Sequence, residues 1–375
     1  MLLLIPGPVM TRPEVRAAMA QDFAPWDNDF RPLYAGIRDR VLALAGGTPE
    51  THATLPLQGC GHFAMEATVR TFVPPGGKVL IPMTGQYAER LRRLTAEAGR
   101  VVVDMDVPHD LPVDPGAVAR ALAGDQSIGH VGMVYSETSS GVIHDPLAIG
   151  HAVRAAGRRL ILDAVSAFGA LPLDVAAQPE LDAVVFTANK CLEGMPGLAF
   201  TVARIDSLER AGGNAGSWSF DLADIFNHAV RSGWGSFRFT PPAQVLAACG
   251  VALDLHAAEG GRPARLARYR ANADALYAGM RRIGLQPCLL PDVQGPIVQN
   301  IHAPDDTAWH LQSFVDALKR RGFLISNFHN TPGPSIRVGC IGAVTPDDMR
   351  AFVRAVDATL DEIGIRNRAP ARAAA

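Results

Sequence analysis

The 375-residue chain has almost no lysine. Lys78, Lys190 and Lys319 are the only three among its 35 basic residues. A guanidinium stays protonated at any working pH and cannot form an imine, so only three side chains are candidates for amine chemistry. Cysteine is scarce as well. Cys60, Cys191, Cys249, Cys288 and Cys340 are widely spread, odd in number and without a CxxC pair. That pattern argues against a disulfide framework and suits a reducing compartment. The 11 histidines form no HxH or HExxH group, and no metal site is expected. No apolar run approaches the ~20 residues of a membrane helix. The apolar start Met1-Leu2-Leu3-Leu4-Ile5 stops at Pro6-Gly7-Pro8, lacks a basic lead and is too short for a signal segment. The expectation is a cytoplasmic protein with no membrane partner. Neither sign of charge is in excess: 35 basic and 37 acidic residues give a net charge of −2, which offers no global attraction for nucleic acid.

What is present is the makings of a large core. Hydrophobic residues are 48% and charged residues 19%, too apolar for a disordered chain. At about 100–200 residues per domain, the length allows two or three domains. Short Val/Ile/Leu runs at 79–81, 101–103, 131–135, 160–162, 183–187 and 198–202 alternate with helix-length segments at 88–99, 115–123 and 146–158. Continuous apolar runs suit strands buried on both faces of a mostly parallel sheet. Asp145-Pro146 is an N-cap followed by proline at the first helical position. After Thr240-Pro241-Pro242, two long helices at 243–258 and 262–283 join at Gly260-Gly261. Strands at 297–301, 323–326 and 335–338 follow, with helices near 307–321 and 346–364. The predicted architecture is α/β. It comprises an N-terminal arm (1–15), a large domain on a mostly parallel sheet (16–256), a smaller C-terminal α/β domain (257–366) and a frayed tail (367–375).

Ligands of an open parallel sheet bind beyond the carboxyl ends of its strands. Asp163 ends the run at 160–162, and Lys190 lies three residues past the run at 183–187. They are one strand–helix–strand step apart, so both can face one crevice. A cofactor with an aldehyde on a pyridine ring needs such a pair: an amine to hold the aldehyde and move a proton, and a carboxylate to keep the ring nitrogen protonated. Each alone has an ordinary explanation, a helix cap or strand-end carboxylate for Asp163 and a surface cation for Lys190. Lys190, however, sits among apolar residues and precedes the turn Gly194-Met195-Pro196-Gly197. Lys78 follows the loop Pro74-Pro75-Gly76-Gly77, and Lys319 stands beside Arg320-Arg321 near a helix end.

Gln58-Gly59-Cys60-Gly61-His62-Phe63-Ala64 opens a helix with glycines, as a phosphate cradle does. Gly59-x-Gly61-x-x-Ala64 also fits the dinucleotide fingerprint, but no acid precedes Glu89 and Leu55-Pro56-Leu57 makes a poor strand. Tyr87, after Thr84-Gly85-Gln86, stacks on a flat ring or simply packs; His62 stacks instead or donates at the helix N-terminus. Arg337, within Ser335-Ile336-Arg337-Val338-Gly339, must find an anion, either a substrate carboxylate or phosphonate or an internal Asp or Glu.

Taken in order, the motifs resemble the fold-type I, class V pyridoxal-phosphate aminotransferases over nearly the whole chain. The phosphonate transaminases are the nearest branch. The motifs are Leu4-Ile5-Pro6-Gly7-Pro8, Trp26-Asp27-Asn28-Asp29-Phe30, Leu57-Gln58-Gly59-x-Gly61 and Ser136-Glu137-Thr138-x-x-Gly141. Next come Asp163-Ala164-x-Ser166-x-Phe168-Gly169 and the most specific, Ala188-Asn189-Lys190-Cys191-x-x-Gly194-x-Pro196-Gly197. Phe237-Arg238-Phe239-Thr240-x-Pro242 and Arg337-x-Gly339-x-x-Gly342 complete the set.

The resemblance implies pyridoxal 5′-phosphate, with Lys190 as the imine lysine and Asp163 at the pyridine nitrogen. It implies Cys60, Gly61 and His62 at the phosphate, Tyr87 stacked on the ring, and Thr138 and Ser166 in the cofactor site. Arg337 would hold the substrate anion, with Pro8 beside the substrate. A homodimer is implied, in which Arg238 and Thr240 reach the partner's cofactor phosphate and the N-terminal arm packs onto the neighbour. The implied activity moves the amino group of 2-aminoethylphosphonate to pyruvate, giving phosphonoacetaldehyde and L-alanine. The cradle departs from that branch: Gly59-Cys60-Gly61-His62 stands where Gly-Ser-Gly-Ser is usual, and looks more like alanine–glyoxylate and serine–pyruvate transaminases. Alanine or serine donors are therefore the alternative. Cysteine desulfurases carry His where Asn189 stands, and the intact Lys190, Asp163 and Arg337 set disfavours a non-catalytic cofactor binder.

Overall fold

Seven strands form the central sheet of the computed structural model, which describes residues 1–370. Their order is His52–Gln58, Leu198–Arg204, Leu181–Thr187, Arg159–Asp163, Ile128–Val134, Lys78–Met83 and Val101–Asp106. Leu198–Arg204 runs antiparallel to both its neighbours; every other adjacent pair is parallel. The six apolar runs of the sequence are six of these strands.

The seventh is a correction. The stretch around Leu55-Pro56-Leu57 is not a poor strand but His52–Gln58, paired residue for residue with Leu198–Arg204. It lies at the sheet edge, where one side carries no ladder and a proline is tolerated.

Both faces of the sheet are covered. Leu80, Val131, Leu162, Val184 and Phe186 point into one apolar layer. Val79, Ile81, Ile161, Ala183 and Val185, their sequence neighbours, point into the other. This two-sided burial is why the strands read as unbroken apolar runs. The helices Pro115–Gly124 and Pro146–Ala155 each start with proline behind an aspartate cap, and Asp114 and Asp145 accept from the two N–H groups that follow. Asp163 and Val185 are paired across their strands, so the segments after them leave the sheet on the same side.

A third apolar cluster gathers Leu276, Met280, Phe314, Ile336 and Phe352. It lies around the helices Gly261–Arg282 and Pro346–Glu362 and the antiparallel pair Val298–His302 with Ser335–Gly339. The helix Gly261–Arg282 straddles two cores: Leu266 and Tyr269 belong to the sheet's cluster, Leu276 and Met280 to the smaller one.

Two readings of the chain ends change. The N-terminal arm packs onto its own chain: Leu2–Leu3 pairs in parallel with Phe323–Leu324, and Leu4 is fully buried in the smaller core. A short strand with unpaired N–H and C=O groups is a template for pairing, and the arm fills it. The C-terminal segment is tied down as far as residue 370. Arg368 pairs with Asp357 and Asp361, and Asn367 N–H donates to Asp306 at 2.9 Å. The rest of the tail, 371–375, lies outside the described residues. No helix among the described residues is long and apolar enough to cross a membrane.

Candidate active site

A cavity of about 240 Å³ opens beyond the carboxyl ends of the parallel strands, with Asp163 and Lys190 both on its wall. Lys190 is 7% exposed, and its Nζ donates to Pro6 O at 2.7 Å. Burial pulls its pKa down to about 8, with Arg337 and Arg90 pushing the same way and Cys191 and Asp163 opposing. The arm passes close enough that only glycine fits at position 7. Gly7 has φ +148°, and a Cβ there would lie 2.5 Å from Lys190 Cδ and Cε and 2.7 Å from Nζ.

Asp163 is 8% exposed and accepts one hydrogen bond, from Val165 N–H at 2.9 Å, which leaves its second oxygen for another partner. Burial pushes its pKa up to about 6; the Val165 bond lowers it, buried Glu137 raises it, and Lys190 and Arg90 lower it. The carboxylate is thus a poorly satisfied anion that a cation on the cavity side would stabilise.

The helix Gly61–Phe72 points its N-terminus at the same cavity. Its Phe63 and Ala64 N–H groups bond to Cys60 O, and those of Gly61 and His62 have no partner among the described residues. A Cβ at Gly61 would sit 2.6 Å from Val165 Cγ2, so the close approach of this helix end to the Asp163 loop requires glycine. Thr187 Oγ1, also on the cavity wall, is buried without a hydrogen-bond partner. Unpaired N–H groups at a helix start, with the positive end of its dipole, form an anion cradle.

Tyr87 also lines the cavity, in the first turn of the helix Gln86–Glu97. Fully buried Glu137 anchors that turn, accepting from Tyr87 N–H and Thr84 Oγ1 at 3.3 Å each and from Ser139 N–H at 3.1 Å. The Arg90 guanidinium stands 4.8 Å from the Tyr87 ring centre and shares the cavity.

Arg337, 4% exposed, lines an adjoining cleft that meets the Lys190 cavity at Gly7. Its Nε and Nη2 donate to Ser326 Oγ at 3.3 Å, and its guanidinium lies 4.6 Å from the Phe328 ring centre. Its partners are the Ser326 hydroxyl, the Phe328 face and the Asn330 side-chain carbonyl, which accepts from Nη1 at 2.9 Å, rather than an Asp or Glu.

Of the residues singled out in the sequence, Cys60, Gly61, His62, Tyr87, Asp163 and Lys190 share the cavity. The others stand elsewhere. The Thr138 and Ser166 hydroxyls are buried 2.6 Å apart and do not line it. Pro8 is exposed beside Gly7. Arg238 pairs with Asp224 at 2.9 Å beside the Trp218 and Phe239 rings, and Thr240 is exposed; within one chain neither reaches the cavity. Arg90, Thr187 and Glu137 were missed. Arg90 was findable, because it follows Tyr87 by three residues and so shares its helix face.

The donors fit pyridoxal 5′-phosphate: an amine, a buried carboxylate with a free oxygen, a flat aromatic wall, two unpaired helix N–H groups and an orphaned hydroxyl. No cluster of three or more His, Cys, Asp or Glu among the described residues is placed to hold a metal ion.

Known proteins agree with the geometry. A family model, Aminotransferase class-V, matches residues 23–338. The 2-aminoethylphosphonate–pyruvate transaminase of Pseudomonas putida (strain W619) is 41% identical over 364 residues, covering 97% of this chain and 98% of that protein. The 2-aminoethylphosphonate–pyruvate transaminase 2 of Burkholderia lata is 41% identical over 374 residues, covering 100% and 98%. Among solved structures, the pyridoxamine–pyruvate aminotransferase of Mesorhizobium loti matches with a TM-score of 0.88 at 26% identity, over 98% of this chain and 93% of that one. The α/β fold is that of the fold-type I aminotransferases, and the chain belongs to the class-V aminotransferase family.

Proposed function

We propose that this enzyme is a pyridoxal-phosphate-dependent transaminase that moves the amino group of 2-aminoethylphosphonate to pyruvate, yielding phosphonoacetaldehyde and L-alanine. The observation that carries the chemistry is the pairing of a buried amine, Lys190, with a buried carboxylate, Asp163, on one cavity at the strand ends. The choice of substrate rests on the full-length likeness to transaminases of that name.

In this reading the N–H groups of Gly61 and His62, with the backbone at Cys60, hold the cofactor phosphate. Tyr87 covers the ring and Asp163 holds the proton on its nitrogen. Thr138 and Ser166 support that side of the site from behind the wall. When bound, the cofactor supplies an aldehyde that accepts the amino group and a ring that spreads the electron pair left as the neighbouring C–H bond breaks. Lys190 Nζ then takes and returns the proton. A pKa near 8 suits it, because a base works best when its proton affinity lies close to the operating pH. Pro6 O, 2.7 Å away, keeps the amine aimed into the cavity. Arg337 holds the phosphonate of one substrate and the carboxylate of the next, and Pro8 borders them.

We also propose a homodimer, with the arm 1–15, large domain 16–256 and small domain 257–366 as its building units. Trp26 is 78% and Trp218 65% exposed, and Phe239 and Trp234 are exposed too. Arg238 lies beside Trp218 and Phe239, and with Thr240 would complete the partner's cofactor site.

His62 and Cys60 favour a second reading, in which alanine or serine donates to glyoxylate or pyruvate. The deciding experiment incubates the holoenzyme with 2-aminoethylphosphonate and pyruvate and follows alanine. Parallel runs use alanine or serine with glyoxylate and follow glycine. Faster turnover in the second set would replace the first reading with the second.

A further inference from the structure

We propose that Glu193 is a positioning residue for Lys190. Its carboxylate ties the turn that carries the amine to the turn that follows Arg337, so both sides of the site are held as one body. The proposal rests on the roles given above to Lys190 and Arg337.

The backbone at Glu193 has φ +58°, a left-handed geometry that a residue with a side chain rarely adopts. In this geometry Glu193 N–H closes onto Lys190 O at 2.9 Å, and Gly194 N–H onto Ala188 O at 2.8 Å. The shape of the lysine turn therefore depends on what keeps Glu193 there. Such outliers persist only where the surroundings over-determine them.

The surroundings here are specific. Glu193 is 3% exposed. Its Oε1 accepts from Arg268 Nη2 and from Tyr269 Oη, each at 2.7 Å. Arg265 Nη1 lies 3.5 Å from the same oxygen and donates to Cys191 O at 2.6 Å. One helix, Gly261–Arg282, thus grips the turn by a side chain and by a backbone carbonyl. The same groups reach onward. Tyr269 Oη accepts from Gly342 N–H at 3.2 Å, and Arg268 Nη1 donates to Gly342 O at 2.6 Å and Val344 O at 3.0 Å. Gly342 follows Arg337 within the same short segment.

The connection from Lys190 to Arg337 is therefore covalent at each end and bridged in the middle by one carboxylate, one phenol and the Arg268 guanidinium, while Arg265 braces the lysine turn alone. Glu259 is an internal comparison. It accepts from Nε of Arg265 and of Arg268, at 2.8 Å each, but makes no bond to the lysine turn. The charged groups that act most on Lys190 are Arg337, Asp163 and Arg90, together with the Cys191 thiol. Glu193 acts instead through position.

The test uses the holoenzyme and four variants: Glu193→Gln, Glu193→Gly, Tyr269→Phe and Glu259→Gln. Glycine accepts φ +58° without a side chain, so Glu193→Gly keeps the experiment open if Glu193→Gln folds poorly. Three readouts are taken. They are the pH titration of the visible absorbance of the lysine–cofactor bond, the amide exchange rate of residues 190–194, and kcat and KM for one amine donor. Loss of the tether should shift the absorbance midpoint by about half a pH unit. It should speed exchange at 190–194 about 10-fold without touching the core strands. It should also lower kcat about 10-fold with KM within about 3-fold. Glu193→Gln, Glu193→Gly and Tyr269→Phe should all move these readouts, and Glu259→Gln should leave them in place.

Wild-type behaviour in the two Glu193 variants overturns the proposal. So does an equal effect of Glu259→Gln, which would mark a generic ion pair. A wild-type enzyme that holds no cofactor on Lys190 would instead overturn the underlying reading, and the exchange readout distinguishes the two because it does not depend on the cofactor.

Discussion

Replacing Gly7 with alanine should disable Lys190 without changing the lysine. Carbon atoms pack at about 3.5–4.0 Å. The new Cβ would sit 2.5 Å from Lys190 Cδ and Cε and 2.7 Å from Nζ, so the side chain must retreat by about 1 Å. A lysine tip is flexible and can do so cheaply. The main cost to stability is the backbone, where φ +148° is strained for alanine by about 1–3 kcal/mol. Function is far less tolerant. A 1 Å misplacement of a reacting atom costs about 100-fold in rate, and the displaced amine also loses its 2.7 Å bond to Pro6 O. Gly7→Ala should therefore melt only a few degrees below wild type, while kcat falls about 100-fold and the fraction of cofactor fixed by borohydride drops. The assays are thermal unfolding, borohydride trapping with mass analysis, and steady-state turnover. A Gly7→Ala enzyme with wild-type kcat and full trapping would refute the claim that the arm presses on the amine.

Three further outcomes follow from the same geometry. Lys190→Ala should bind no cofactor covalently: wild type should be yellow and bleach on borohydride reduction with the cofactor left attached, whereas the variant should be colourless beforehand and retain no cofactor mass afterwards, as read from visible spectra and mass analysis. Arg337→Ala removes a charge-assisted contact of about 1.5–3 kcal/mol, so KM for the anionic substrate should rise about 10- to 100-fold while cofactor occupancy stays full; loss of cofactor would place Arg337 in the wrong role. For Asp163, burial raises the folded pKa from 3.8 to about 6, so the folded chain binds the proton more tightly than the unfolded one. Stability therefore falls as pH rises from about 4 to 6, by up to about 3 kcal/mol. In the cofactor-free protein, Asp163→Asn should melt higher than wild type at pH 7.5 and about equally at pH 4.5; the same difference at both pH values would show that the carboxylate carries no burial penalty.

The sheet was legible because strands covered on both faces leave unbroken Val/Ile/Leu runs. His52–Gln58 escaped because Pro56 speaks against a strand, and only the topology reveals that this strand is an edge. Lys190 stood out through scarcity and Asp163 through its place at a strand end. Arg90 shares a helix face with Tyr87, yet in a chain this rich in arginine one more attracts no notice. Glu193 was invisible for a deeper reason. Its importance lies in a left-handed backbone and in partners at 265, 268 and 269, which no local pattern connects to it. The apolar start of the chain reads as a surface seeking a second subunit. Nothing in five apolar residues says that their partner is a two-residue strand near position 323.

That last pairing sets a schedule for synthesis. Leu2–Leu3 leave the ribosome long before Phe323–Leu324 and can dock only once these have followed. At about 5–20 residues per second, the wait is on the order of tens of seconds. Since Pro6 and Gly7 hang from that docked strand and cap Lys190, the pocket of a newborn chain stands uncapped until Phe323–Leu324 have emerged.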